Sequence, residues 1–277
     1  MFSKLVPIPS SAMIPDRDID KKPILECVNL GITFGGLKAV EDFNLTIGRT
    51  EIAGLIGPNG AGKTTVFNLL TKVYQPTMGT ILINGRDTAG MNTVQANKLG
   101  IARTFQNIRL FGNMSVEDNV RIGLHNQITY STVSGIFRLP SFFKGEREQH
   151  ERALDLLSIF DMHDLADHQA GSLPYGAQRR LEIVRALATN PSLLLLDEPA
   201  AGMNPHETEE LMENIVKIRD QFKIAILLIE HDMSLVMGIC EGICVLNFGQ
   251  VIAKGPAEDI QNNPEVIKAY LGSNKEG

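Results

Sequence analysis

The chain contains no tryptophan, only three cysteines, and no apolar run long enough to cross a membrane. Its longest apolar run, residues 224–229, has the length of a strand, whereas a membrane-spanning helix needs about 18 apolar residues. Basic residues number 26 against 32 acidic residues, and the net charge of −6 argues against a nucleic-acid partner. Cys27, Cys240 and Cys244 form no metal-binding or disulfide pattern, so we expect them to be buried and reduced. We therefore expect a soluble protein, or one that only a partner holds at a membrane.

Residues 57–65 match G-x-x-x-x-G-K-[ST], the phosphate-binding loop of P-loop NTPases. An apolar segment before the loop predicts a buried strand, and residues 66–70 predict a helix after it. Glycines allow backbone N–H groups to approach a triphosphate, and the helix N-terminus directs its positive end at the same anion. We predict that Lys63 contacts the β- and γ-phosphates and that the Thr64 hydroxyl binds Mg²⁺. The predicted cradle consists of Gly57, Pro58, Asn59, Gly60, Ala61, Gly62, Lys63, Thr64 and Thr65.

Acidic residues follow two apolar segments that predict buried strands. Asp197 and Glu198 follow the first segment, and a carboxylate at the C-terminal end of such a strand can hold Mg²⁺ or activate water. His231 follows the second segment and is placed to hydrogen-bond a γ-phosphate and the attacking water. Acids often end strands in α/β proteins, and a lone histidine is usually structural, so both predictions depend on the phosphate-binding loop.

Strands alternate with helices along most of the chain, which predicts an α/β fold with a mainly parallel sheet. Residues 38–47 predict a strand pair, and residues 243–254 predict a hairpin. Between two core strands, residues 107–190 predict a helical insert, with a loop or broken helix at 126–145 and a helix at 146–160. Phe34 lies in a predicted glycine-rich turn, where it either stacks on a purine or belongs to the core.

Together these residues resemble the ATP-binding subunits of ABC transporters over residues 24–272. The resemblance implies one ABC ATPase domain with a P-loop NTPase core, an antiparallel β subdomain and a helical signature subdomain at about 107–190. Residues 1–23 are then a flexible N-terminal extension and residues 273–277 a tail. The implied ligands are ATP and Mg²⁺. The implied roles are Phe34 as adenine-stacking aromatic, Gln106 as Q-loop glutamine contacting Mg²⁺ or the attacking water, Asp197 as Walker B aspartate, Glu198 as catalytic glutamate and His231 as switch histidine.

The segment at the position of the LSGGQ signature departs from that family's pattern. It reads Leu-Pro-Tyr-Gly-Ala, and Pro174 offers neither the hydroxyl nor the N–H group that the usual serine brings to a γ-phosphate. Ala177 replaces the usual glutamine. We therefore predict that the signature contacts nucleotide weakly and that the two sites of a dimer are unequal. The predicted nucleotide-binding residues of this segment are Leu173, Pro174, Tyr175, Gly176 and Ala177.

Several runs, among them 34–40, 103–106, 200–205 and 263–272, are similar to the larger ATPase subunit of bacterial branched-chain amino acid uptake systems. This resemblance implies an ATPase at the cytoplasmic face of the bacterial inner membrane. Its implied partners are a second ABC ATPase subunit, identical or different, transmembrane permeases, and indirectly a periplasmic or extracellular solute-binding protein. ATPases of urea or amide uptake and of lipopolysaccharide export share several of these runs and remain alternatives.

Three classes outside the transporters are less compatible with the sequence. A small GTPase needs N-K-x-D, and residues 97–100 lack the aspartate. A soluble ABC ATPase of chromosome or translation work needs a coiled-coil insert or tandem domains. A non-catalytic ATP-binding regulator is expected to lack Glu198 or His231, and both are present.

Overall fold

The structure, a computed structural model, describes residues 22–273 except 126–130, 132, 133 and 135. Residues 1–21 of the predicted extension and 274–277 of the predicted tail lie outside the described residues. Within the described part, no helix combines the length and the apolar character that a membrane span requires.

The described helices and strands alternate over most of the chain, as the sequence predicts. In chain order they are β1 (Leu25–Phe34), β2 (Leu37–Ile47), β3 (Ile52–Ile56), α1 (Lys63–Leu70), β4 (Met78–Ile83), β5 (Arg86–Asp87), α2 (Thr93–Lys98), β6 (Ile101–Arg103), α3 (Val116–Leu124), α4 (Pro140–Ser158), α5 (Tyr175–Ala188), β7 (Leu193–Asp197), α6 (Pro205–Phe222), β8 (Ala225–Ile229), α7 (Met233–Ile239), β9 (Gly242–Asn247), β10 (Gln250–Gly255), α8 (Ala257–Gln261) and α9 (Pro264–Ser273).

The central sheet has the strand order β10-β9-β3-β8-β7-β6. Five of these strands run parallel, and β10 joins β9 as the predicted antiparallel hairpin. Parallel strands place their carboxyl ends at one edge of a sheet, where ligands of open α/β folds bind. The loops after β3, β6, β7 and β8 therefore meet at a single edge, and the predicted mainly parallel α/β core is confirmed.

The four leucines of β7 explain how the central sheet is covered on both faces. Leu193 and Leu195 pack into a core shared with α1 and the antiparallel sheet β2-β1-β4-β5. Leu194 and Leu196 pack into a second core shared with α3, α4 and α5. Because side chains of a strand alternate between faces, a strand buried on both sides reads as one apolar run. The antiparallel β part and the helical part thus lie on opposite faces of the core.

Two local predictions were wrong at their boundaries. Residues 38–47 form one strand, β2, and not a strand pair, because β2 pairs with β1 on both sides of an irregularity at Glu41 and Asp42, where Asp42 has φ of 48°. The predicted helix at 146–160 begins earlier, at Pro140, whose fixed φ suits a first helical turn. A capping box between Asn204 and Glu207 begins α6.

Candidate functional site

The P-loop, residues 57–65, connects β3 to α1. Gly57 and Gly62 have φ of 150° and 105°, a region that glycine enters without a steric cost. A Cβ at Gly57 would collide with the carbonyl oxygen of Leu246, and one at Gly62 would lie 2.8 Å from the carbonyl oxygen of Ala39. The loop is therefore packed so closely against neighbouring backbone that these positions require glycine.

Lys63 is buried within the P-loop, where its ammonium group is bound by the loop itself. Its Nζ donates hydrogen bonds to the carbonyl oxygens of Gly57 at 2.7 Å and Pro58 at 3.0 Å. Burial lowers the pKa of Lys63, whereas the nearby carboxylates of Glu198 and Asp197 raise it. The predicted P-loop cation and the two predicted acids thus lie within electrostatic reach of one another.

Asp197, the last residue of β7, forms a buried ion pair with Arg103, the last residue of β6. Arg103 Nη2 lies 2.6 Å from Asp197 Oδ2, and the two side chains are 8% and 4% exposed. The guanidinium also donates to Asn68 Oδ1 at 2.7 Å and lies 5.4 Å and 5.3 Å from the ring centroids of Phe67 and Phe105. Arg103 therefore fixes the orientation of the Asp197 carboxylate and compensates its negative charge.

The three predicted water-activating residues, Gln106, Glu198 and His231, meet at the carboxylate of Glu198. Gln106 Nε2 donates to Glu198 Oε2 at 3.0 Å, and His231 Nε2 lies 3.1 Å from Glu198 Oε1. A carboxylate only accepts hydrogen bonds, so the contact with His231 requires a proton on Nε2. Glu198 has φ of 49°, an unfavourable region for a residue with a Cβ, and such backbone is concentrated at functional sites.

Glu230 is buried at the end of β8 and fixes the backbone on either side of the site. Its Oε1 accepts from the Ala200 N–H at 2.8 Å, and its Oε2 accepts from the His231 N–H at 3.0 Å. A longer contact of 3.4 Å reaches the Asp232 N–H. Burial raises the pKa of Glu230, and these N–H donors oppose that shift. One carboxylate thus connects the segment after Glu198 to the backbone of His231.

Phe34 is the last residue of β1 and does not belong to the predicted turn, which consists of Gly35 and Gly36. Its side chain is 43% exposed and makes an edge-to-face contact with Tyr74, with ring centroids 5.2 Å apart. The alternative of a core phenylalanine is therefore wrong. Stacking on a purine stays a prediction.

The signature segment, residues 173–177, surrounds the N-terminus of α5. Leu173 and Gly176 are buried, whereas Pro174 and Tyr175 are exposed. Pro174 is the N-cap and provides no side-chain hydrogen bond there. Among the hydrogen bonds of the described residues, none joins this segment to the P-loop or to Glu198. One of its hydrogen bonds runs instead to Arg179, which also binds the carbonyl oxygens of Phe105 and Gln106.

The side chain of Tyr175 contacts Arg179 and Gly202 of the same chain. Its hydroxyl accepts from Arg179 Nη2 at 2.8 Å, and its ring packs where a side chain on Gly202 would have to lie. The tyrosine therefore connects α5 to the loop that follows Glu198.

The metal donors predicted from the sequence are the Thr64 hydroxyl, the Gln106 amide and the Asp197 carboxylate. Thr64 and Gln106 are exposed. All three supply hard oxygen atoms, which Mg²⁺ prefers. The described residues contain no group of three or more His, Cys, Asp and Glu side chains that could hold a metal alone. This donor set fits a Mg²⁺ ion that takes its remaining ligands from phosphate and water.

Three residues of this region had no role in the sequence analysis: Arg103, Arg179 and Glu230. Arg103 and Glu230 lie at the carboxyl ends of core strands, and that position was the available signal. Arg179 offered no such signal, because its partners, the carbonyl oxygens of residues 105 and 106, lie 74 and 73 positions earlier in the chain.

The family described as "ABC transporter" matches residues 40–201, and that described as "Branched-chain amino acid ATP-binding cassette transporter" matches residues 250–276. The chain is 47% identical to the high-affinity branched-chain amino acid transport ATP-binding protein BraF of Pseudomonas aeruginosa. It is 49% identical to LivG, of the same description, from Escherichia coli K12. Both alignments cover 91% of this chain and 98% of the relative.

More distant relatives agree on the family. The lipopolysaccharide export system ATP-binding protein LptB of Haemophilus influenzae is 30% identical over 90% of this chain and 97% of its own length. A crystal structure of an ATP-binding cassette of an ABC transporter in its ADP conformation superposes with a TM-score of 0.79 at 29% identity. That alignment covers 91% of this chain and 100% of the cassette. The resemblance predicted from the sequence is thus confirmed, and the chain belongs to the ATP-binding cassette subunits of ABC transporters.

Proposed function

We propose that this chain is the ATP-hydrolysing subunit of an importer for branched-chain amino acids. The observation that carries the catalytic part is the convergence of Gln106 and His231 on the carboxylate of Glu198, beside a glycine-rich phosphate loop. The cargo is inferred from BraF and LivG, whose identities of 47% and 49% exceed the 30% identity to the lipopolysaccharide export protein.

The proposed reaction is transfer of the γ-phosphoryl group of ATP to water. Glu198 orients the attacking water and accepts its proton. When nucleotide enters, the Nε2–H of His231 exchanges its bond with Glu198 for one to the γ-phosphate, where it stabilises charge. Lys63 exchanges its bonds with the Gly57 and Pro58 carbonyls for bonds to phosphate oxygens when nucleotide enters. Thr64, Gln106 and Asp197 are the residues proposed to hold Mg²⁺, which neutralises phosphate charge when bound.

We propose that two such ATPase subunits, identical or different, face each other head to tail. Membership of the ABC transporter family supports this arrangement, in which each ATP lies between the P-loop of one subunit and the signature of the other. Loss of the γ-phosphate removes the contact that favours the closed dimer, so hydrolysis reopens it. Pro174 and Ala177 weaken the signature's contact, so in a dimer of two different subunits the site that includes this signature differs in turnover from the other.

A groove beside the central sheet provides the proposed contact with a permease. Its volume is about 480 Å³, and it lies between α2 and β6 on one side and α3 and α5 on the other. Apolar side chains, including Phe105, Phe111 and Ile122, line it together with Arg109 and Arg185. The subunit is then peripheral at the cytoplasmic face of the bacterial inner membrane, and a solute-binding protein acts through the permeases.

The proposal is tested on the whole transporter. The chain is purified with its membrane partners and reconstituted into vesicles, and ATP turnover is measured with its solute-binding protein and leucine, urea or no solute. Stimulation by leucine supports the proposed cargo, and stimulation by urea alone would replace it. ATP binding without turnover above that of Glu198→Gln would instead indicate a non-catalytic regulator.

A further inference from the structure

Arg179 connects the signature helix to the Q-loop. Its side chain is 3% exposed and lies on α5, one turn after Tyr175. The guanidinium donates to the carbonyl oxygen of Phe105 at 2.7 Å, to the carbonyl oxygen of Gln106 and to the hydroxyl of Tyr175 at 2.8 Å. One buried cation therefore holds the backbone of the Q-loop glutamine and the first turn of the signature helix together.

The face of α5 that carries Arg179 also contacts Arg109, at the other end of residues 105–109. Glu182 Oε1 accepts from the backbone N–H of Arg109 at 3.0 Å, and Glu182 Oε2 lies 3.6 Å from Arg179. Arg185 Nη1 donates to the carbonyl oxygen of Arg109 at 2.6 Å. Residues three apart on a helix lie on one face, so these side chains form a continuous polar row. The row fixes residues 105–109 at both ends.

The direction of the Gln106 side chain depends on this backbone. Gln106 is exposed, so packing against neighbours does not hold its amide. Its Nε2 nevertheless lies 3.0 Å from Glu198 Oε2. A change in the backbone of residue 106 would move the amide away from that carboxylate. Arg179 binds the carbonyl of that residue and of the one before it.

We propose that Arg179 is a positioning residue for ATP hydrolysis, which sets the direction of Gln106 toward Glu198 and makes the Q-loop and the signature helix move together. This role rests on the proposed function, since it concerns hydrolysis and its stimulation by a permease. Phe105, Arg109 and Arg185 also line the groove proposed for the permease. An occupant of the groove therefore contacts Phe105, whose carbonyl oxygen Arg179 binds next to that of Gln106.

The test compares Arg179→Lys with a matched control. A lysine keeps the charge, but a single ammonium group cannot span three acceptors that a planar guanidinium reaches. Arg219→Lys is the control, because Arg219 is 10% exposed and donates to Glu241 at 2.6 Å and to the carbonyl of Thr50 at 3.4 Å, away from the site. Both variants are assayed in the reconstituted transporter.

We expect both variants to lower the midpoint of thermal unfolding. Only R179K should lower kcat, by about tenfold, with the KM for ATP changed by less than about twofold, because misplacing a catalytic group affects chemistry more than binding. The stimulation by permease and solute should fall in R179K alone. Equal kcat values for the two variants would overturn the proposal.

A double-mutant cycle with Gln106→Ala separates positioning from a general structural role. If Arg179 acts through Gln106, adding R179K to Q106A lowers kcat no further, whereas independent effects would multiply. Multiplied losses would overturn the proposal. Absence of ATP turnover by the wild-type transporter is a different result, which would refute the proposed function and this role with it.

If R179K does not fold, Tyr175→Phe takes its place in the double-mutant cycle with Gln106→Ala. It removes a single partner of Arg179 at an exposed side chain. We expect a smaller loss of kcat than for Q106A, again without multiplication in the double variant. A loss that multiplies with Q106A would overturn the proposal here too.

Discussion

Replacing Arg103 by methionine tests whether the buried ion pair with Asp197 prepares the metal site. The two side chains are 8% and 4% exposed, and the guanidinium lies 5.4 Å and 5.3 Å from the ring centroids of Phe67 and Phe105. Methionine fills much of the same space with apolar atoms, so the main loss is the charge. The substitution leaves the carboxylate of Asp197 buried without its cation.

Breaking a buried pair from one side costs about 3–5 kcal/mol, because the remaining charge is desolvated and uncompensated. For a domain of this size each kcal/mol lowers the melting temperature by about 2–4 °C. We therefore expect R103M to melt roughly 6–20 °C below wild type. A Mg²⁺ ion brings a new positive charge to Asp197, so Mg²⁺-ADP should raise the melting temperature of R103M more than that of wild type.

Differential scanning fluorimetry with and without Mg²⁺-ADP measures both effects. Asp197→Asn in the R103M background is the control, because it removes the uncompensated charge. The double variant should be more stable than R103M and should lose the additional stabilisation by Mg²⁺-ADP. An R103M protein that melts within about 2 °C of wild type would refute the reasoning, since the pair would then contribute no more than a surface ion pair.

Three further predictions concern single side chains of the site. Glu198→Gln should bind ATP but turn it over about a hundredfold more slowly, because the water loses its base; a phosphate-release assay with near-normal turnover would contradict this. Lys63→Ala should lose most ATP binding in a fluorescent-nucleotide titration, and unchanged affinity would exclude the phosphate-loop assignment. Burial raises the pKa of Glu230 above its unfolded value, so its contribution to stability is present below the ordinary glutamate pKa of about 4.3 and is lost as pH rises through the raised pKa. Urea unfolding at stepped pH should therefore show wild type losing stability relative to Glu230→Gln over that window, and a constant difference would argue against a raised pKa.

Local patterns in the sequence were sufficient for the phosphate loop and for the order of the core elements. Residues 57–65 are contiguous, and their geometry follows from glycine backbone and from one helix N-terminus. The buried strands before Asp197 and His231 appear as uninterrupted apolar runs, and parallel strands then bring their carboxyl ends to one edge. The meeting of these residues near Glu198 could therefore be expected.

Boundaries and side-chain partners were less accessible to sequence reasoning. Residues 140–144 of α4 are exposed or only partly buried, so they show no apolar periodicity, and periodicity alone placed the start of the helix six residues after Pro140. β2 stays one strand in spite of the left-handed backbone of Asp42, because Val40 and Phe43 on either side of it both pair with β1.

The sequence by itself determined the chemistry of this protein, because each motif is a short contiguous segment whose residue types and backbone shape carry the function. Only the tertiary structure decided which buried charges support that chemistry. Arg103 meets Asp197 across 94 positions, and Arg179 meets the Q-loop carbonyls across 73 and 74. Such partners are selected by the pairing of strands and the packing of α5, and a buried charge is stable only where that packing supplies its counterpart.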